Sequence, residues 1–226
     1  MRLLVLLTYF LFCTTHLFAQ DPRSSVKFST DSDTAFWYNL KNSYTKKYEL
    51  KSVVSDTNQI VFSFWSYGNL IYVSKNNNSL HGEVTKFVKE LNDKENPIRT
   101  FKKSFRLSNE TTDKIFNLLD SSKIGAIPSD KFIENWKQGL DGIEYIIEFK
   151  SENNYSFKTF WTPRSQENVT EASALIKFID TLYSLCDMKS LSNAFDKSIP
   201  FNSWTYEGSA TGVTRITKKR KKHKHD

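Results

Sequence analysis

The sequence is poor in the side chains from which most enzymes and metal sites are assembled. It holds only two cysteines and four histidines in 226 residues. Cys13 and His16 lie in the first nineteen residues, and His223 and His225 in the last thirteen, so the body between keeps only His81 and Cys186. A zinc site of the usual composition needs four His or Cys ligands or three with a carboxylate, and cannot be built from that pair. A lone body cysteine has no internal disulfide partner. A Ser-His-Asp triad would depend on His81, which sits in a strand-like stretch beside Gly82 and reads as a surface residue. There is no G-x-S-x-G elbow; the nearest string, Gly208-Ser209-Ala210-Thr211-Gly212, has the wrong spacing. Neither G-x-G-x-x-G nor a phosphate-binding loop is present. These absences argue against nucleotide, zinc and Ser or Cys hydrolase chemistry, and no cofactor or metal is expected.

Long apolar runs are also scarce, and the clearest one opens the chain. Arg2, the run from Leu3 to Phe12 and the small residue Ala19 match a secretory signal peptide cleaved near Ala19. The run is shorter than the ~20 residues that span a bilayer. Lipidation at Cys13 is disfavoured because Phe12 stands where a small residue is wanted. The expectation is an exported protein, periplasmic or secreted, with no transmembrane segment after cleavage. Export permits disulfides, yet cleavage leaves Cys186 alone, so the fold must rest on its apolar core. An aromatic content of 15% supplies large surfaces to bury.

An excess of positive charge is confined to the far end. The formal net charge is +7, of which Arg2 leaves with the leader. From Arg215 to Asp226 seven Lys and Arg face one acid, so the body from Gln20 to Thr214 is neutral. Lys218, Lys219, Arg220, Lys221, Lys222 and Lys224 form a self-repelling tail, expected to be disordered and to make weak, salt-dependent contact with an anionic surface. Specific nucleic-acid recognition is not expected in an exported protein, and a flexible His223-His225-Asp226 end lacks preorganised metal geometry.

The resulting domain reading is a signal peptide over 1–19, a polar linker over 20–33, one domain over 34–213 and a basic tail over 214–226. The polar break at 92–97 is a candidate internal boundary. Within the domain, 36–48 is ambiguous between an aromatic helix and a strand. Ile60, Phe62 and Phe64 alternate with Val61, Ser63 and Trp65, and Leu70–Val73 is a second strand across a Gly68-Asn69 turn. After a turn at 76–79, Leu80–Leu91 gives a third. A short strand over 104–107 leads to a helix over 110–122, capped by Ser108 or Asn109 and ended by Gly125 and Pro128. A short helix over 130–137 precedes the clearest hairpin, 143–150 with 155–161, stopped by Pro163. A long helix over 166–187 carries Ala172, Leu175, Ile176, Ile179, Leu182, Tyr183 and Cys186 along one face. A last strand runs through Trp204 and Tyr206. Runs of strands with segregated helices predict an α+β fold, an antiparallel β meander and hairpin packed against two or three helices.

Carboxylates remain as candidates for chemistry. Glu144 and Glu148 share a strand face, and Asp141 precedes Gly142 in good turn chemistry. A glycosidase needs two carboxyls about 5–10 Å apart across a cleft, whereas Glu148 is also placed to pair across the hairpin with Lys158 or a neighbour. Asn77, Asn109, Asn154 and Asn168 begin N-x-S/T sequons, which matter only where the secretory pathway glycosylates them.

The stretch Trp136-Lys-Gln-Gly139-Leu-Asp141-Gly142-Ile-Glu-Tyr145, with Phe160-Trp161-Thr-Pro163 and the helix after it, resembles uncharacterised exported proteins of Bacteroidota. The resemblance spans about 105–206 and implies an exported bacterial α+β protein with no catalytic residue. The functional expectation is a non-enzymatic binding or interaction protein, using a surface around Trp136, Asp141, Tyr145 and Trp161 toward a protein or glycan. The alternative is a carboxylate-dependent hydrolase acting on glycans.

Overall fold

The computed structural model describes residues 27–32, 36–77, 79–139, 141–151, 154–206 and 215–217. The signal-peptide segment and tail residues Lys218 to Asp226 lie outside the described residues, as do 152 and 153 of the predicted hairpin turn. The fold is α+β, an open sheet with helices on both of its faces.

In chain order the elements are β1 (Lys27–Phe28), α1 (Phe36–Lys47), β2 (Ile60–Ser66), β3 (Asn69–Asn76), β4 (Ser79–Leu91) and β5 (Pro97–Arg106). Then come α2 (Asn109–Ser122), β6 (Glu144–Ser151), β7 (Asn154–Trp161), α3 (Thr170–Leu185), α4 (Met188–Ser198), β8 (Ser203–Tyr206) and β9 (Arg215–Thr217). The main sheet runs β1-β7-β6-β2-β3-β4-β5, antiparallel except where β1 lies parallel to β7. Long β4 pairs with β3 as far as Lys86, then with β8 at Val88–Glu90, while β5 follows its other edge.

The β2–β3 turn falls at Tyr67-Gly68, one residue earlier than the sequence suggested. Both residues have positive φ, 34° and 71°, the handedness that matches the twist of a two-residue hairpin. The polar segment 92–96 closes the β4–β5 hairpin, and β5 begins at Pro97, seven residues before the strand read at 104. Ser108 caps α2 by accepting the Thr111 N–H at 3.0 Å, a contact worth ~1 kcal/mol.

Strand alternation splits the core into two layers. Phe62, Phe64, Ile71, Val73, Val84, Ile147 and Phe160 pack under α2 and α3, against Ile115, Leu119, Leu175, Phe178 and Leu182. On the other face Val61, Trp65, Leu70, Tyr72, Phe87, Ile146, Tyr155 and Phe157 lie under Tyr38 of α1 and Tyr48 and Val53 beyond it. Covering both faces explains why β2 and β3 read as continuous apolar runs.

Three expectations change. The ambiguous 36–48 segment is a helix, because Trp37, Lys41, Tyr44 and Tyr48 recur at helical spacing toward the sheet. Helix α4 went unread: its apolar face is thin, with Met188 and Phe195 buried, and Asp187 restarts the helix directly after α3. Residues 27–32, assigned to a linker, are built into the sheet: Ser29 N–H donates to the Tyr155 carbonyl at 2.9 Å and Phe157 N–H to Ser32 Oγ at 3.1 Å.

Candidate functional site

The four residues expected to form a binding surface divide between packing and exposure. Trp136 is only 8% exposed, and its indole N–H donates to the Trp161 carbonyl at 3.0 Å. The Trp161 ring packs against Gly139 and Gly142. A Cβ at Gly139 would fall 2.6 Å from that ring, and one at Gly142 only 2.1 Å from Thr162 Oγ1. The two tryptophans therefore pack the loop before β6 onto β7, with Trp136 buried and Trp161 half-buried. Asp141 is exposed in the turn before β6. Tyr145 is half-buried, 5.8 Å from the Phe64 ring, and burial raises its hydroxyl pKa.

Both candidate acids on β6 are buried, at 2% and 1% exposure for Glu144 and Glu148, and Glu148 lies beneath α1. Glu148 faces Phe157 across the hairpin, and Lys158 opposes Ile147 on the other face, so the expected Glu148–Lys158 pair does not form. The polar face of β6 around Glu148 is not solvent-facing, because α1 covers it. Glu148 instead receives Lys41 Nζ at 2.5 Å, Ser63 Oγ at 2.7 Å and Tyr155 Oη at 2.6 Å. Four polar groups thus satisfy one another inside the aromatic layer, as buried charge requires. Burial and the Glu148 charge push the Tyr155 hydroxyl well above its ordinary pKa, so it stays a donor.

Lys158 is equally spent on the fold. Its ammonium holds Asp31 at 2.6 Å and the carbonyls of Gly125 and Ile127 at 2.7 and 2.8 Å. A pocket of about 300 Å³ opens beside it, floored by Phe62, Ile147 and Phe149 and rimmed by Asp120, Lys123 and Ser156. Cys186 is buried and its thiol is pushed up to about 12, which suits a packing role. His81 Nε2 lies 3.3 Å from Glu83 on β4. Among the described residues no three His, Cys, Asp or Glu gather as a metal-binding group.

β5 offers an accessible row of backbone hydrogen-bonding groups. Among the described residues β5 pairs with β4 alone, leaving its outer edge open. The Leu107 N–H bonds to the Gly82 carbonyl, which fixes the phase of the ladder: residues 101, 103 and 105 bond to β4. The N–H and C=O groups of Thr100, Lys102, Ser104 and Arg106 therefore point outward. β5 carries Arg99, Lys102, Lys103 and Arg106 and no acid. A groove of about 250 Å³ follows this edge, lined by Lys47, Tyr48, Glu49, Thr100 and Lys102. Lys102 spans it to the Glu49 carbonyl at 2.9 Å and carboxylate at 3.2 Å.

The sequence held a signal for this edge. Phe101 and Phe105 alternate with polar residues, Pro97 starts the run, and four cations crowd ten positions. Reading only 104–107 as strand hid it. No protein-family model matches the chain, and no curated protein shows significant sequence similarity to it. No helix among the described residues is long and apolar enough to cross a membrane.

Proposed function

We propose that the protein is an exported, non-catalytic binding protein that engages its partner by adding an extended segment as a strand to β5. The observation that carries this reading is the ten-residue edge of β5, unpaired among the described residues, whose outward amides and carbonyls are the groups a new strand would pair with. A non-catalytic role is supported by the burial of Glu144 and Glu148, which a glycan cannot reach. Export rests on the leader-like segment Arg2 to Ala19.

The test is selection of extended peptides from a random display library on the full chain, followed by rebinding to Thr100→Pro. The Thr100 N–H points away from β4, so proline removes an edge donor without breaking the existing ladder. Selected peptides should lose at least ~10-fold in affinity for a variant whose thermal melt is unchanged. Undiminished binding, or no peptide recovered, would count against strand addition.

A further inference from the structure

Resting on strand addition at β5, we infer that the partner segment alternates acidic and apolar residues, the acids facing α1. The two faces of β5 ask for different chemistry. Thr100, Lys102, Ser104 and Arg106 project on the α1 side and are exposed, next to the groove that Lys47 helps to line. Phe101, Lys103 and Phe105 project on the other side and are half-buried. Phe101 stacks on Phe195 at 5.7 Å, and the Lys103 ammonium lies over the Phe105 ring at 5.3 Å.

Residues opposite one another on neighbouring strands share a face and nearly touch. Partner positions opposite Lys102 and Arg106 therefore meet cations, and a carboxylate there is favoured. Positions opposite Phe101 and Phe105 meet the edges of aromatic rings and the Lys103 stem, and an apolar side chain there extends the layer around Phe195. Glu49 already supplies one carboxylate to Lys102, but its side chain is 85% exposed. Such a surface pair is worth little, so a partner acid displaces it cheaply. A second copy of this chain is a poor occupant, because it brings another row of Lys and Arg against the first. The basic tail from Lys218 onward is excluded on the same ground.

The test uses the full mature chain and three capped eight-residue peptides: alternating Glu-Val, alternating Lys-Val and a block of four Glu followed by four Val. The alternating Glu-Val peptide should bind at least ~10-fold more tightly than either other. Lys102→Glu combined with Arg106→Glu should reverse its preference toward Lys-Val. N-methylation of alternate amides should abolish binding when placed on one edge of the peptide and spare it on the other. Equal binding of the alternating and block acidic peptides would reduce the edge to a charge sink and overturn the pattern. Failure of the alternating peptide while library peptides still lose affinity on Thr100→Pro would overturn the pattern and leave strand addition standing. Failure of every peptide would overturn both. Self-association abolished by Thr100→Pro would assign the edge to a second copy and likewise overturn it.

Discussion

Lys41 and Glu148 decide more of the stability of this molecule than their chemistry advertises. At 3% and 1% exposure, each is tolerated only because the other neutralises it. Removing one partner strands a buried charge, a loss of about 3–5 kcal/mol. Urea denaturation should therefore show Lys41→Met and Glu148→Gln each strongly destabilising, and the double variant losing clearly less than their sum. Additive losses would mean the two groups do not depend on each other.

Lys86 poses the opposite case, a buried cation short of compensation. It bonds to Asn69 Oδ1 and lies near the rings of Phe195 and Tyr206, at 5.7 and 5.5 Å. Burial pulls its ammonium down to about 8, only partly offset by Asp196. A lysine whose folded pKa is depressed penalises folding while charged. The penalty is full below pH 8 and fades between 8 and 10.5, where the unfolded chain still binds the proton. The gain is about 3 kcal/mol across that window. Stability of the wild type relative to Lys86→Met should rise from pH 7.5 to 9.5, measured by chemical denaturation at each pH. The buried tyrosines are common to both proteins and cancel in the comparison. A flat difference would show that Lys86 keeps an ordinary pKa.

At the scale of elements, one ion pair adds to the hydrogen bonds that hold the short β1 strap. Burial alone would raise the Asp31 pKa, but hydrogen bonds from Lys158 and Ser29 and the Lys158 charge bring it below the usual carboxylate value. A depressed carboxyl gives stability present above about pH 4 and lost as pH falls through the folded pKa. Amide exchange at Ser29 and Phe157, corrected for its intrinsic pH dependence, should accelerate at pH 3 and, at pH 6, in Asp31→Asn. Unchanged protection would place the strap's hold elsewhere.

The same elements show what could be read without coordinates. The apolar runs of β2 and β3, the alternation in β6 and the apolar stripe of α3 are strong local signals, and they sit where they were expected. Helix α1 was ambiguous because its inward face is aromatic and includes Lys41, a residue that periodicity counts as polar. That ambiguity propagated: with α1 unplaced, the second sheet face looked solvated, and Glu148 looked like a surface partner for Lys158. Nothing local in the sequence reveals that Trp161 packs against Gly139 and Gly142 or that Trp136 is buried. The β5 edge escaped because openness belongs to sheet order, which long-range pairing of β2 with β6 determines.

For the whole molecule, charge and architecture point the same way. A neutral body has gathered four cations onto β5, a strand paired on one edge among the described residues, while its buried acids, Lys158 and Cys186 are committed to holding the sheet and its helices together. The measurement that bears most directly on this account is residue-resolved amide exchange of the full chain with and without the alternating Glu-Val peptide. Thr100, Lys102, Ser104 and Arg106, whose amides point outward, should gain protection, and 101, 103 and 105, already bonded to β4, should change little. Binding that leaves those four amides exchanging as fast as before would contradict it.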